Sequence, residues 1–169
     1  GNAAVALGVC AALVEQGVWI DAEAVRRGLS SVRWPARMES IGRVLIDGAH
    51  NLDGVGALCA ALDAEAPIEA LVFGASNDKP WAEMLRAIVN ATGVGASRRF
   101  FAAAPVARAV AASELVAEVD GVECPSPAAA LRQALGAADG RVLVCGSLYF
   151  VARARAELLG IVEDPPISQ

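Results

Sequence analysis

The sequence predicts an α/β fold: a mainly parallel sheet with helices on both faces, preceded by two further helices. Short aliphatic and β-branched runs alternate with helical patterns along most of the 169 residues, as in sheets whose parallel strands are joined by helices. The chain is 56% hydrophobic but only 5% aromatic, since 37 residues are alanines, whose small side chains suit helices packed closely on a sheet. A chain of this length can bury a core without disulfides or metal.

The first two predicted elements are helices at the start of the chain. The first covers residues 2–16, with Asn2 as a candidate N-cap and Gly17 at its end, and it is apolar on nearly every side. Asp21 is predicted to cap a second helix that ends near Leu29. Because a helix that is apolar all round is normally covered by other elements, we expect this pair to be the end of a preceding domain.

A linker, residues 30–35, leads into the predicted sheet. Strands and helices are then predicted in alternation, in the order extended 38–41, strand 43–47, helix 53–62, strand 68–73, helix 81–90, strand 98–102, helix 106–119, short strand 121–124, helix 128–138, strand 141–145 and a last helix ending near 159. In such a sheet, ligands gather at the carboxyl ends of the strands.

Charge and composition exclude several classes of function. A net charge of −5 and a pI near 4.9 argue against nucleic-acid binding, which needs a basic face. No apolar run is long enough to cross a bilayer, so we expect a cytoplasmic protein without a membrane partner. With a single histidine and no Cys-x-x-Cys, a zinc site is not expected, and we interpret the four cysteines as buried reduced thiols: Cys10, Cys59, Cys124 and Cys145.

Three predicted strand ends carry polar residues: 47–51 (Asp-Gly-Ala-His-Asn), 74–79 (Gly-Ala-Ser-Asn-Asp-Lys) and 146–147 (Gly-Ser). Asp47 follows an apolar strand, so its carboxylate is expected at the rim of the sheet. There it could accept hydrogen bonds from a ribose hydroxyl or orient His50. The alternative is an Asx turn or a helix cap, which aspartate often makes in such loops.

His50 and Ser147 are the candidate reactive side chains. Histidine can change protonation near neutral pH, although one in a strand-to-helix loop is more often structural. A triad of Asp47, His50 and Ser147 is rejected because Ser147 lacks the Gly-x-Ser-x-Gly elbow of a hydrolase nucleophile. A hydroxyl at a helix N-terminus suits an anion such as carboxylate or phosphate, and it can also act as the N-cap.

Two cations are also singled out. Lys79 is the one lysine beside 13 arginines, and ammonium and guanidinium are not interchangeable. Arg37 could reach a nucleotide phosphate, and the alternative is a surface ion pair with Glu39. The chain contains no Gly-x-x-x-x-Gly-Lys-Ser/Thr loop, so nucleotide chemistry would need another domain.

The ordered set of segments resembles the C-terminal part of folylpolyglutamate synthase/dihydrofolate synthase, a branch of the Mur ligase superfamily. The segments that carry the resemblance are 2–7 (Asn-Ala-Ala-Val-Ala-Leu), 28–29 with 34–39 (Trp-Pro-Ala-Arg-Met-Glu), 45–51 (Leu-Ile-Asp-Gly-Ala-His-Asn), 73–74 with 78–79, and 146–149 (Gly-Ser-Leu-Tyr). Together they cover nearly the whole chain in the order found in that family.

The resemblance implies a ligase that uses ATP and Mg²⁺ to phosphorylate a carboxylate of dihydropteroate or a folate. L-glutamate then attacks the acyl phosphate and an amide forms. It also implies that residues 1–31 belong to a central ATPase domain and residues 32–169 to a Rossmann-like C-terminal domain. The P-loop and the metal ligands are expected in the missing N-terminal and central part, so this chain alone is expected to hold no metal and to be inactive.

The resemblance further implies roles for single residues. On the nucleotide side, Asn2 matches an asparagine near the adenine, Arg37 a phosphate-contacting and catalytic arginine, and Asp47 a ribose-contacting aspartate. His50, a second catalytic candidate, and Ser147 match residues near the incoming glutamate or the reacting phosphate.

Asp78 and Lys79 match a motif of the family, and no role is assigned to either. Two positions depart from the family pattern: Ala36 stands where glycine is usual, and Leu52 where proline is usual. A methyl group at position 36 would alter the backbone approach to phosphate if that position needs a positive φ. Neither departure removes a functional group.

Two alternatives stay open from the sequence. The same domain could serve a Mur ligase that joins amino acids to a cell-wall nucleotide precursor. It could also be a non-catalytic module that binds a nucleotide or an acidic metabolite.

Overall fold

The computed structural model describes residues 2–161, which divide after Pro35 into two compact units. The first unit contains the helices α1, Asn2–Glu15, and α2, Ala22–Ser31, and neither helix has a buried residue. Asn2 is already helical and so does not precede α1 as an N-cap, whereas the Asp21 carboxylate caps α2 by accepting from the Ala24 N–H. Assignment of this unit to an ATPase domain stays a prediction.

The second unit contains six strands and five helices that alternate along the described chain. They are β1 Glu39–Ile41, β2 Val44–Ile46, α3 Leu52–Leu62, β3 Ile68–Phe73, α4 Trp81–Thr92, β4 Arg99–Phe101, α5 Ala112–Glu118, β5 Val122–Glu123, α6 Pro127–Ala137, β6 Arg141–Cys145 and α7 Leu148–Leu159. A short 3-10 turn, Ala96–Arg98, precedes β4.

The strands form one sheet in the order β1-β2-β6-β3-β4-β5. Only β1 is antiparallel to its neighbour β2, and the other four pairings are parallel. The last strand, β6, lies between β2 and β3, with Val144 opposite both Ile46 and Val72. The predicted mainly parallel α/β fold is confirmed, and the carboxyl ends of β2, β6 and β3 are neighbours.

Two apolar clusters cover the two faces of the sheet. Consecutive residues of each central strand belong to different clusters, as the period of two in a strand requires: in β6, Val144 lies in one and Leu143 in the other. Helices α3, α4 and α5 supply buried residues to the cluster of Leu143, and α6 and α7 to that of Val144. Helices therefore lie on both faces of the sheet, as predicted.

The predicted helix 106–119 is wrong in its first half. Only Ala112–Glu118 is helical, while the loop before it pairs with the loop after β3. The Asn77 N–H donates to the Arg108 carbonyl at 2.8 Å, and the Val110 N–H to the Ala75 carbonyl at 3.0 Å. These backbone bonds between two loops replace the first helical turns, and an alanine-rich sequence does not reveal them.

The cysteines are free, but only two of them are buried. Cys124 and Cys145 lie in the interior, whereas Cys10 and Cys59 are partly exposed, so the prediction of four buried thiols holds for half of them. Burial raises the pKa of the Cys145 thiol well above its usual range. Among residues 2–161, no helix combines the length and apolarity that crossing a membrane requires.

Candidate functional site

An open cleft of about 210 Å³ lies at the carboxyl ends of the central strands. It exists because β2, β6 and β3 are parallel neighbours, so the loops that follow them emerge side by side. The lining of this strand-end cleft comes from the loops after β2, β3, β4 and β6 and from the first residues of α7: His50, Ser76, Asp78, Lys79, Arg108, Gly146, Ser147, Leu148 and Tyr149. Four residues singled out in the sequence, His50, Asp78, Lys79 and Ser147, are thus brought together.

His50 is oriented by a backbone carbonyl. Its Nδ1 lies 2.8 Å from the Gly48 carbonyl oxygen, which can only accept a hydrogen bond, so Nδ1 carries the proton. In the neutral ring, Nε2 then keeps its lone pair. The expectation that Asp47 orients His50 is wrong, because Gly48 takes that position. His50 can therefore accept a proton or a hydrogen bond at Nε2.

Ser147 follows a glycine that no other residue could replace without strain. Gly146 has φ +113°, and a Cβ there would lie 2.5 Å from the Phe73 ring and 2.6 Å from the Gly74 carbonyl oxygen. Ser147 is buried at the N-cap position of α7, but its hydroxyl makes no capping hydrogen bond. The sequence suggested that this hydroxyl binds an anion or caps the helix. Because it makes no capping hydrogen bond, the hydroxyl remains available for an anion at the start of α7.

Two cations of the cleft lining share one carboxylate. The Asp78 carboxylate lies 3.4 Å from the Lys79 ammonium and 3.5 Å from the Arg108 guanidinium. These side chains are between a third and two thirds exposed, so water screens the pairs and each contributes little to stability. A single carboxylate between two cations leaves net positive charge, which suits an anionic ligand.

Arg108 is the site residue that the sequence reasoning missed. It was hidden in the wrongly predicted first half of the helix 106–119, although the loop after β4 also follows the carboxyl end of a parallel strand. The rule that ligands gather at the carboxyl ends of parallel strands therefore also applies to the end of β4. Pro105, which precedes this stretch, is the available signal that the chain stays in a loop there.

Arg37 lies outside the cleft lining, in a loop of residues 36–38 that we call the arginine loop. Its side chain is exposed and has no hydrogen bond or ion pair within the described part of the chain. The suggested ion pair between Arg37 and Glu39 is wrong. Glu39 instead binds Arg155 of α7 through two hydrogen bonds, of 2.8 and 2.9 Å, because the guanidinium fork matches both carboxylate oxygens.

Asp47 acts as a clamp on the backbone. One of its carboxylate oxygens accepts from the Met38 N–H at 2.9 Å and the other from the Ala49 N–H at 2.8 Å. The hydrogen bond from Ala49 forms the Asx turn that the sequence offered as an alternative, and the hydrogen bond from Met38 ties Asp47 to the arginine loop. Since each oxygen can accept a second hydrogen bond, a ribose hydroxyl remains compatible with this geometry.

Two further expectations concern Asn2 and metal binding. Asn2 is an exposed residue of α1 in the first unit. Within residues 2–161, no group of three or more His, Cys, Asp or Glu side chains could hold a metal ion.

The Glu39–Arg155 pair predicts a pH-dependent stability. Hydrogen bonds from Arg155 are the main reason why the pKa of Glu39 is lowered; burial opposes the shift, and the Ala36 N–H adds to it. A lowered folded-state pKa stabilises the fold at neutral pH, and this stabilisation is lost as the pH falls through that value. In urea unfolding, we expect Glu39→Gln to lose about 2 kcal/mol at pH 7, and the difference from wild type to shrink as the pH falls through the lowered pKa of Glu39.

Glu157→Gln is the matched control for this prediction. Glu157 also pairs with an arginine, Arg132, but both side chains are exposed, so the change should cost less than about 1 kcal/mol at pH 7. A Glu39→Gln deficit that is the same at pH 7 and pH 3.5 would contradict the prediction, because it would not come from the charge of Glu39.

Comparison with known proteins identifies a family model described as Mur ligase, glutamate ligase domain, which matches residues 36–148. A probable bifunctional folylpolyglutamate synthase/dihydropteroate synthase of Halobacterium salinarum is 38% identical over 88% of this chain and 19% of its own length. A folylpolyglutamate synthase of Lacticaseibacillus casei is 31% identical over 94% of this chain and 38% of its own length. The chain thus spans well under half of these relatives.

Solved structures show the same likeness. Escherichia coli FolC in complex with DHPP and ADP superposes with a TM-score of 0.77 and 28% identity, covering 94% of this chain and 39% of that one. A bifunctional folylpolyglutamate synthase/dihydrofolate synthase of Yersinia pestis, complexed with AMPPNP and a Mn ion, has a TM-score of 0.76 and 27% identity over 89% of this chain and 37% of that one. The resemblance stated from the sequence is confirmed.

Proposed function

The chain belongs to the Mur ligase family through its glutamate ligase domain, and we propose that it is the C-terminal, nucleotide- and glutamate-side domain of an ATP-dependent amide ligase. The ligase adds L-glutamate to dihydropteroate or to folates through an acyl phosphate. Relatives named for folylpolyglutamate synthesis, and a structural neighbour complexed with DHPP and ADP, support a folate acceptor over a cell-wall precursor.

The observation that carries the proposal is the chemistry of the strand-end cleft. Lys79 and Arg108 supply positive charge for the carboxylates of glutamate, and His50 and Ser147 supply a proton acceptor and a free hydroxyl. These four groups come from loops that follow four different strands, so their arrangement depends on the fold. A substrate with carboxylates and an amine matches these groups, since the cations bind its carboxylates and His50 accepts a proton from its amine.

In the amide-forming step, the amino nitrogen of glutamate attacks the carbonyl carbon of the acyl phosphate. A C–N bond forms, the C–O bond to phosphate breaks, and the amine loses a proton as phosphate leaves. His50 can accept that proton at Nε2, since its Nδ1 is committed to the Gly48 carbonyl. The Ser147 hydroxyl and the N-terminus of α7 can hold an oxygen of the departing phosphate or a carboxylate.

On the nucleotide side, the arginine loop supplies charge. The Arg37 guanidinium has no partner among the described residues and can therefore contact a phosphate, where it stabilises the charge that develops during phosphoryl transfer. Asp47 retains acceptor capacity for a ribose hydroxyl beside its two backbone bonds. For Asn2, the proposal of an adenine contact rests on the family resemblance alone.

We further propose that the ATPase part of this ligase comes from residues outside the chain. The sequence has no P-loop, the loop that would hold the phosphates of ATP. The first unit would then complete the central domain, and the 169-residue chain would be inactive alone. A cytoplasmic location is part of the same proposal.

The experiment that tests the function is a product assay combined with calorimetry. The ligase that contains this chain is incubated with ATP, Mg²⁺, L-glutamate and dihydropteroate or tetrahydrofolate, and the product is identified by mass spectrometry. We expect a glutamyl adduct, and no product from the 169-residue chain alone. Titration with ATP should show binding only when the central domain is added to the chain.

Three results would contradict the proposal. An amino-acid adduct of a cell-wall nucleotide precursor, without a folate product, would show that the domain serves a cell-wall Mur ligase. Tight ATP binding by the chain alone would support the non-catalytic module. Product formation by the chain alone would show that the division of labour between domains is wrong.

Arg108→Ala is predicted to weaken glutamate binding in the intact ligase. Loss of one charge-assisted contact to a carboxylate should raise KM for L-glutamate about 10-fold, with a smaller effect on kcat, because the contact is present before and during the reaction. Steady-state kinetics with varied glutamate would measure this.

Arg98→Ala is the matched control. Arg98 precedes β4, at the other end of that strand, and is half exposed and paired with Glu69 at 3.7 Å. Its loss should leave KM for L-glutamate within about twofold of wild type. If both variants gave the same KM for glutamate, Arg108 would have no part in binding it.

A further inference from the structure

The arginine loop has a backbone conformation that its residues do not favour. Ala36 and Met38, on either side of Arg37, have φ values of +57° and +45°, in the left-handed region that side chains with a Cβ avoid. The condition stated from the sequence, a positive φ at position 36, is met in the structure, and an alanine adopts it here. Such conformations persist only where the surroundings over-determine them.

Two carboxylates hold this loop from either side. Glu39 accepts from the Ala36 N–H at 2.8 Å while it binds both nitrogens of the Arg155 fork. Asp47 accepts from the Met38 N–H at 2.9 Å. In addition, the Ala36 carbonyl accepts from the Gly48 N–H at 2.7 Å. The backbone on both sides of Arg37 is therefore hydrogen-bonded to two parts of the second unit, the Glu39 side chain of β1 and the loop that follows β2.

The side chain between these clamps is free. Arg37 is exposed and makes no hydrogen bond or ion pair within residues 2–161, whereas its neighbour Ala36 is only 8% exposed. A fixed backbone with a free side chain sets the direction in which the guanidinium leaves the loop and leaves its donors available. This arrangement serves a ligand contact better than it serves the stability of the fold.

Arg155 connects the arginine loop to the strand-end cleft through one helix. It lies on α7, whose first residues, Leu148 and Tyr149, line the cleft. The Glu39 and Arg155 side chains are 23% and 26% exposed, so the pair is shielded more than the exposed ion pairs of this unit. Helix α7 therefore contacts the arginine loop through the Glu39–Arg155 pair and also lines the strand-end cleft.

We propose that Glu39 and Arg155 are positioning residues that hold the arginine loop in its strained conformation and so direct Arg37 to its ligand. The inference rests on the proposed function, because it assigns their effect to the phosphate contact of Arg37. A purely structural ion pair is the competing explanation. It would change stability in the same way but would affect turnover independently of Arg37.

A double-mutant cycle in the intact ligase separates the two explanations. Arg155→Gln should lower kcat about 10-fold in the wild-type background and less than twofold in an Arg37→Ala background, because the residue that it positions is then absent. Arg132→Gln is the matched control, since it also removes an ion pair from α7, with Glu157, but does not touch the loop. It should leave kcat within twofold of wild type in both backgrounds.

A second variant and readout cover the case in which Arg155→Gln does not fold. Glu39→Gln should give the same cycle with Arg37→Ala. In the 169-residue chain, it should also speed amide hydrogen exchange at Ala36 at least 10-fold relative to the amide of Val144 in β6. Unchanged exchange at Ala36 would overturn the inference that Glu39 holds the loop.

The outcomes for the inference and for the function are distinct. Equal fold-losses in kcat from Arg155→Gln in both backgrounds would overturn the positioning role and leave the ligase proposal intact, provided that Arg37→Ala itself lowers turnover. Wild-type turnover in the Arg37→Ala ligase would instead overturn the role of Arg37 in the proposed function, and the positioning role with it.

Discussion

Arg37→Ala is expected to lower kcat of the intact ligase about 100- to 1000-fold, the range found when one preorganised donor to a developing charge is removed. The guanidinium has no partner among the described residues, so its removal leaves no buried group unpaired and should not destabilise the fold. The loss would therefore appear in turnover and not in the free energy of unfolding. Steady-state assays and urea unfolding of the same preparations would measure both.

Two further variants sharpen this prediction. Arg37→Lys keeps the charge but loses the planar fork of donors, so we expect it to recover only part of kcat. Arg132→Ala removes an exposed arginine of the same unit and should leave kcat within twofold of wild type. Equal small losses for Arg37→Ala and Arg132→Ala would show that Arg37 is an ordinary surface residue.

Gly146→Ala is expected to destabilise the second unit by about 4 kcal/mol, a large part of the total stability of a domain of this size. The residue has φ +113°, and the added Cβ would lie 2.6 Å from the Gly74 carbonyl oxygen and 2.5 Å from the Phe73 ring. Phe73 is completely buried, so neither neighbour can move away without disturbing β3. Urea unfolding followed by circular dichroism would measure the loss.

Gly136→Ala is the matched control for this change. Gly136 lies inside α6, and no atom lies within 4 Å of a Cβ built on it, so alanine should be neutral or stabilise the helix by up to about 1 kcal/mol. If Gly146→Ala unfolded at the same urea concentration as wild type, Gly146 would not lie as close to Phe73 and Gly74 as the structure indicates. Partial destabilisation should also displace Ser147, which follows Gly146.

Much of the sheet could be predicted because its signals are local. The strands Ile68–Phe73 and Arg141–Cys145 have the predicted bounds, since each is a short apolar run that ends at a glycine-containing turn. The caps of the helices were predicted less well. The predicted helix starts at Asp53, whereas α3 starts at Leu52 and its N-cap is Asn51, whose side chain accepts from the Gly54 N–H at 2.8 Å. Asparagine and aspartate are both common N-cap residues, so only the backbone geometry shows which of the two residues caps the helix.

Residues of the candidate site divide in the same way. His50, Asp78, Lys79 and Ser147 follow strand ends, so one rule about parallel sheets placed them at the same edge. Arg108 was missed because its loop is fixed by hydrogen bonds to residues 75 and 77, more than thirty positions earlier. The partner of Glu39 was missed for the same reason, since Arg155 lies 116 positions away in the chain.

The sequence by itself determined the α/β class, the order of most elements and the loops in which reactive side chains lie. These properties depend on periodicity and on turn residues, which act over a few positions. Only the tertiary structure decided the strand order, with β6 between β2 and β3, and thereby which loops share the cleft. It also decided that Glu39 pairs with Arg155 and leaves Arg37 free, because hydrogen bonds and ion pairs select partners by distance in space, which folding alone establishes.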